Sequence, residues 1–172
     1  MTISLREAGP ADLPAIGALH HRSRLAAYRD IVPADALAAL SADMMGRWWA
    51  ERWPYERHSH VLTVAERGGR LVGFSYVGPD EDGDVGTGEL YAIHLEPDQQ
   101  GTGAGRALMI EALATLRRQG WRRAVLWVLA DNTHARGFYE SGGWTPDGAE
   151  RDDMIGPATV RLVRYRQTLS RP

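Results

Sequence analysis

The run Gln100-Gly101-Thr102-Gly103-Ala104-Gly105-Arg106 constrains this chain more than any other segment. It joins a stretch that reads as a strand, Gly88–Leu95, to a strongly amphipathic one, Ala104–Gln119. The second stretch puts Leu108, Met109, Ala112, Leu113 and Leu116 on one helical face and has Gly120 as its stop. Alternate glycines at such a junction let the backbone approach a ligand closely and gather its N–H groups in one concavity. The helix N-terminus adds partial positive charge. The combination suits a pyrophosphate. A dinucleotide fingerprint, G-x-G-x-x-G, fails because Arg106 stands where the third glycine belongs. A Walker A loop fails for want of lysine, since all 20 basic residues are arginines. The third pattern, Q-x-x-G-x-G, is met by Gln100, Gly103 and Gly105. A glycine-rich turn with no ligand is the plain alternative.

Periodicity predicts the elements around this loop. Thr2–Glu7 alternates as a strand. Pro10-Ala11-Asp12 opens a helix carrying Leu13, Ile16, Leu19 and Leu25. Pro33-Ala34-Asp35 begins a short helix through Leu40, and Asp43–Trp53 reads as a third helix that Pro54 should stop. His60–Glu66 and Leu71–Val77 read as strands joined at Gly68-Gly69, which supply the positive φ of a tight hairpin. An acidic loop, Asp80–Asp84, precedes Gly88–Leu95. Arg123–Leu129 is nearly continuously apolar and fits a strand buried on both faces. Asp131 or Asn132 caps a helix ending at Gly142-Gly143, and Trp144–Glu150 and Ala158–Gln167 close the chain as strands. There is no repeat, low-complexity segment or linker.

At 172 residues the chain is expected to be one domain, 1–172. Hydrophobic residues at 44% and charged residues at 24% are ordinary for a globular protein. A net charge of −2 without a long run of one sign gives nucleic-acid binding no support. The absence of cysteine removes thiolate catalysis and Cys-based zinc sites, and the absence of lysine removes Schiff-base chemistry. No basic n-region with an apolar run opens the chain, and no apolar stretch reaches the ~20 residues a membrane span needs. A cytoplasmic protein with no membrane partner is expected.

The segment Asn132-Thr133-His134-Ala135-Arg136-Gly137-Phe138-Tyr139-Glu140, followed by Gly143-Trp144, is a second signature, N-x-x-A-x-x-F-Y-E-x-x-G-[FW]. Together with Gln100–Gly105 it resembles the GNAT superfamily of acetyl-CoA-dependent N-acetyltransferases. The two motifs span Gly88–Trp144, and the interval between them leaves room for one helix and one strand. The resemblance implies an α/β fold of the α+β type, with a mixed central sheet of about seven strands and helices on both faces. It implies acetyl-CoA as co-substrate and no metal. The cofactor's pyrophosphate would lie on the amides of Gly101, Thr102, Gly103, Ala104, Gly105 and Arg106, in the loop that Gln100 opens. Its pantetheine arm would run beside Ile93, His94 and Leu95, with Asn132 reaching it while also capping a helix.

The chemistry requires more. A primary amine with a pKa near 10 must lose a proton before it attacks, at a cost of roughly 4 kcal/mol at neutral pH. The resemblance puts Tyr139 at the position of the acid that protonates the leaving thiolate; packing beside the sulfur is its structural alternative. Glu89 matches a glutamate used as base in some members; a strand-end surface carboxylate is its alternative. Alternation places Glu89, Tyr91 and Ile93 on one strand face unless a bulge intervenes. Other members carry their base on the following strand, where Trp127 stands here. His58 and His60 share a strand face on this reading, without a third metal ligand. Tyr28, Trp49, Tyr76 and Tyr91 are candidate acceptor-site residues. With Trp48, Trp53, Asp80, Glu81, Asp82 and Asp84 nearby in sequence, they suit a small cationic amine or a peptide amine. Trp48, Trp49 and Trp53 recur at helical spacing, so core packing is the alternative for most of them and the one their spacing favours. A non-catalytic acyl-CoA-binding or sensor domain is the alternative function. A homodimer is compatible with the family, though no sequence feature establishes one.

Overall fold

The computed structural model describes residues 1–170. Seven strands form one sheet in the order β1-β2-β3-β4-β5-β7-β6. Strands β1 (Ile3–Glu7), β2 (Val61–Arg67), β3 (Arg70–Pro79) and β4 (Thr87–Leu95) are successive antiparallel neighbours. Gly68 and Gly69 turn the β2–β3 hairpin with φ of 58° and 76°, the left-handed values that a two-residue turn matched to strand twist requires. Helix α4 (Ala104–Arg118) then carries the chain over to β5 (Arg123–Leu129), which is parallel to β4. Strands β6 (Thr145–Ile155) and β7 (Ala158–Thr168) form a hairpin whose second strand pairs antiparallel with β5.

The helices divide between the two faces. Helix α4 lays Met109, Ala112, Leu113 and Leu116 against Val77, Leu90, Ala124, Leu126 and Val128, and Leu108 against Ala65 and Val72. Helix α5 (Thr133–Ser141) packs Ala135, Phe138 and Tyr139 on the same core. On the opposite face, α1 (Leu13–Tyr28) buries Leu13, Ile16 and Leu19 against Leu62, Val64, Phe74 and Tyr76. Helix α3 (Ala42–Glu56) adds Trp49 to this second core, and the short α2 (Ala34–Ala38) sits with Leu37 beside Leu129 and Ile155. Each fully buried Leu or Ile contributes about 1.5–3 kcal/mol through lost water contact. Strand β5 is thus covered on both sides, as its unbroken apolar run predicts.

Three local expectations need correction. Pro54 does not stop α3, which continues to Glu56 and closes with Arg57 N–H donating to Trp53 O at 2.9 Å. A proline this near the C-terminus deletes one ladder bond, and the packed face of the helix outweighs that loss. His58 and His60 do not share a strand face. Both precede β2, with His58 exposed and His60 stacked on Tyr76 at 5.2 Å between ring centroids. Finally, a bulge in β4 breaks the alternation: Leu90 pairs with Val77 and Ala92 with Tyr76, leaving Tyr91 as the extra residue. Tyr91 therefore stays on the α1 face, while Ile93 turns to the α4 face and packs beside Leu108.

Candidate active site

Strands β4 and β5 pair through only three residues, Thr87↔Arg123, Gly88↔Ala124 and Glu89↔Val125. Beyond Glu89 they separate, and the β4 bulge lies at the point of divergence. The edge of β4 from Leu90 to Leu95 therefore has no partner on β5. A cavity of about 1060 Å³ occupies the split, lined by Tyr91, Ile93, His94 and Leu95 on one side and by Trp127, Val128 and Leu129 on the other. An unpaired strand edge flanking a cavity is a template for an extended ligand carrying amide groups.

At the far end of β4 the chain enters the glycine loop. Gly101 and Gly103 have φ of 74° and 90°, and a Cβ at either would meet nothing within 4 Å, so the loop is not obstructed by side chains. The first backbone bond of α4 is Ala107 N–H to Gly103 O at 3.0 Å. The amides of Ala104, Gly105 and Arg106 consequently have no partner within the helix, the usual state of a helix N-terminus. Among the described residues the Gly101 and Gly103 amides also lack an internal acceptor. The arrangement fits a pyrophosphate. Gly105 serves packing as well: a Cβ there would sit 3.2 Å from Leu95 Cδ1 and 3.5 Å from the Phe138 ring. Gln100, Gly101, Gly103, Gly105 and Arg106 line the cavity, whereas Thr102 and Ala104 do not. The Thr102 amide leans on Gln99 O at 3.4 Å, and its hydroxyl donates to the same oxygen at 2.7 Å.

Asn132 begins α5. Its Oδ1 accepts from Ala135 N–H at 3.2 Å, satisfying one of the helix's orphan donors, and its side chain faces the cavity. Two turns further on, Tyr139 also lines the cavity. Its phenol makes no hydrogen bond among the described residues, and burial, with Tyr28 nearby, holds its pKa well above the ordinary value for tyrosine. Tyr139 therefore remains protonated throughout the working range.

Glu89 lies outside the cavity lining, at the apex where the strands part, and is only 3% exposed. Burial raises its carboxyl pKa to about 7, partly opposed by the Glu81 N–H that donates to its Oε2 at 2.9 Å. The neighbouring Glu81 and Asp80 push in the same direction as burial, and Arg151 pulls back. Such a carboxylate can exchange a proton near neutral pH, the property a general base needs.

The acceptor-side aromatics do not assemble as the sequence predicts. Trp49 and Tyr76, each 1% exposed, are core residues and cannot contact an acceptor. Trp49 donates its indole N–H to His20 Nδ1 at 3.2 Å, and Tyr76 donates its hydroxyl to Glu56. Tyr28 and Tyr91 do line the cavity. The exposed ring of Trp48 is covered by the chain's own Arg52, whose guanidinium carbon lies 4.7 Å from the ring centroid and 5.7 Å from those of Tyr76 and Tyr91. Three of the four carboxylates of the acidic loop are paired, Asp84 with Arg123 at 3.2 Å, Glu81 with Arg151 at 3.4 Å and Asp82 with Arg164 at 3.9 Å, while among the described residues the buried Asp80 side chain accepts only the Asp84 N–H at 3.0 Å.

Sequence reasoning gave no role to Arg24, Ser23 or the ring of His94. Ser23 Oγ meets His94 Nδ1 at 2.9 Å, and burial, with Arg24 close by, lowers the His94 pKa to about 3, so the imidazole is neutral. Arg24 stands one helical turn before Tyr28, 5.6 Å from its ring, and that i,i+4 spacing was the available signal. Trp127, singled out only as a substitution, carries a buried indole N–H without a partner among the described residues, and Arg151 lies 4.3 Å over its ring.

A strand pair split over a cavity, with free glycine-loop amides at its mouth, defines a cleft for an extended pyrophosphate-bearing ligand. The model of the Acetyltransferase (GNAT) family matches residues 25–144, and the chain belongs to that family of acetyl-CoA-dependent acyltransferases. The uncharacterized N-acetyltransferase YuaI of Bacillus subtilis is 29% identical over 153 residues, covering 88% of this chain and 84% of that protein. A mycothiol acetyltransferase of Thermobispora bispora is 42% identical over 85 residues, covering 48% of this chain; the match spans only 29% of that longer protein. In fold, the chain is similar to the PaiA N-acetyltransferase of Thermoplasma acidophilum, solved in complex with coenzyme A, with a TM-score of 0.81 at 16% identity over 98% of this chain and 99% of that one. Among the described residues no helix is long and apolar enough to cross a membrane.

Proposed function

We propose that the chain moves the acetyl group of acetyl-CoA to the nitrogen of an amine acceptor by direct attack. The observation that carries this reading is the split between β4 and β5, with open glycine-loop amides at one end and Glu89 and Tyr139 near the other. When bound, acetyl-CoA supplies the activated acyl group. Backbone amides of Gly101, Gly103, Ala104, Gly105 and Arg106 hold its pyrophosphate. The open β4 edge at Ile93–Leu95 and the Asn132 amide orient its pantetheine arm.

Glu89, ionised above about pH 7, takes the ammonium proton through water. The nitrogen lone pair forms the new C–N bond at the carbonyl carbon. Negative charge developing on the carbonyl oxygen is met by a β4 amide at the bulge. The nitrogen gives up its second proton to water as the C–S bond breaks and sulfur leaves with the electron pair. Tyr139 Oη protonates the sulfur, and solvent then restores the Tyr139 proton and takes the one held by Glu89. Tyr28 and Tyr91 line the acceptor's approach from the α1 face.

The test is thiol release from acetyl-CoA in the presence of a panel of small and peptide amines, alongside calorimetric titration of acetyl-CoA. Acetyl-CoA binding with amine-dependent thiol release is expected. Binding without release by any amine would leave a non-catalytic acyl-CoA sensor, and no binding at millimolar ligand would overturn the cofactor site itself.

A further inference from the structure

Among the described residues seven arginines are partly buried. Among them Arg24 alone lines the cavity; among the described residues it pairs with no carboxylate, and its near neighbour is Tyr28, with the guanidinium carbon 5.6 Å from the ring centroid. The others facing the α1 side are committed: Arg52 to Glu56 at 2.7 Å, Arg164 to Asp147 at 2.7 Å, and Arg151 to the Trp127 ring and Glu81. A partly desolvated guanidinium without a counter-charge is costly, and a ligand oxyanion is the group that relieves that cost.

The charge balance of the cavity points the same way. Its side-chain cations are Arg24 and Arg106, and its single carboxylate is the exposed Asp153, which already accepts Met154 N–H at 2.7 Å. Arg106 belongs to the glycine loop. Arg24 comes from the opposite face, on the turn of α1 that ends with Tyr28, and both Tyr28 and the acid candidate Tyr139 line the same cavity. In the acidic loop Asp84, Glu81 and Asp82 are engaged by Arg123, Arg151 and Arg164, and Asp80, buried and without an arginine partner among the described residues, lies outside the cavity lining.

We propose, resting on the acetyltransferase reading above, that Arg24 is a specificity-determining residue that binds a carboxylate on the acceptor, so that the preferred acceptor is a zwitterionic amino acid or similar amine acid and not a polycation. The guanidinium fork takes the two carboxylate oxygens while the amine reaches the thioester. The same chemistry could be offered by the cofactor's pyrophosphate, and the two sources separate experimentally.

The experiment uses the full chain, wild type and Arg24→Gln, with L-α-amino acids each paired with its decarboxylated amine. Wild type should favour the carboxylate-bearing member about 10- to 100-fold in kcat/KM, the range expected for one charge-assisted contact. Arg24→Gln should lose that preference, Arg24→Lys should restore part of it, and the KM for acetyl-CoA should move less than about threefold. Calorimetry with CoA present should show the amino acid binding to wild type and not to Arg24→Gln. A wild-type preference for the decarboxylated amine, an unchanged preference in Arg24→Gln, or a rise confined to the acetyl-CoA KM would overturn the proposal. Acetyl-CoA binding with turnover of carboxylate-free amines only would also sink it while leaving the acetyltransferase reading intact.

Discussion

The Glu81 backbone N–H donates to Glu89 Oε2 at 2.9 Å, tying the acidic β3–β4 loop to the carboxylate at the apex of the strand split. This single contact supports the ionised form of a buried acid whose pKa nevertheless rises to about 7. If Glu89 is the base, kcat/KM should climb with pH through about 7 and level off above it. Glu89→Gln should lower kcat/KM at pH 8 by about 10²-fold and flatten that limb. A pH–rate profile of both proteins decides; an unchanged limb in the variant would assign the base elsewhere.

The same shift carries a stability signature. A carboxyl held more protonated in the folded state destabilises the fold as pH rises from its unfolded value, near 4.5, to about 7. Glu89→Gln escapes this. Its stability relative to wild type should therefore increase across that window and stay constant above it, by an amount on the order of 2 kcal/mol. Thermal melts of the two proteins at pH 5 and pH 8 read it directly.

Tyr139 makes no hydrogen bond to the protein among the described residues, so Tyr139→Phe removes a proton donor with little structural disturbance. Turnover should fall at least about tenfold with acetyl-CoA affinity nearly unchanged. Wild-type turnover would leave the ring a packing role beside Trp144 and Tyr165, its neighbours at 6.5 and 6.4 Å.

Gly103 adopts φ 90° with open space where a Cβ would project. Gly103→Ala should cost about 1–2 kcal/mol of backbone strain and weaken acetyl-CoA binding about tenfold, since relieving the strain re-aims the loop amides. Calorimetric titration with acetyl-CoA tests it; undiminished affinity would exclude these amides as the pyrophosphate seat.

Asn132 has two separable duties. Asn132→Ser keeps an N-cap oxygen but lacks the amide donor, whereas Asn132→Ala lacks both and should lose about 1 kcal/mol. Both variants should raise the KM for acetyl-CoA, while only the alanine lowers the melting temperature. A serine variant with unaltered KM would confine Asn132 to capping.

The parts of the site built from local rules were legible in the sequence. Alternating glycines before an amphipathic helix dictate a loop with exposed amides whatever surrounds them, and Asn132 reads as a cap from its place before the α5 pattern. Glu89 was legible as a candidate, but its burial depends on β5 and the loop at Glu81 arriving from elsewhere. What could not be read was set by tertiary geometry. The β4 bulge at Tyr91 reverses the facing of Ile93 without a mark in the sequence. The helical spacing of Trp48, Trp49 and Trp53 already favoured core for most of them, but which of the rings is buried, and the burial of Tyr76, follow from the packing of α3 on β3. Glu81, Asp82 and Asp84 suggested a bare negative patch because their arginine partners lie on β6, β7 and β5, distant along the chain.

The seat for the cofactor is made chiefly of main-chain groups: loop amides, a helix start and one strand edge. Such groups are present whatever side chains the positions carry, provided the turn conformations survive. Side-chain changes at Leu95 or Arg106 should thus be far better tolerated than changes at Gly101 or Gly103. New acceptor preferences could then arise by changing α1 and β5 side chains, with the machinery that holds the acyl donor left untouched.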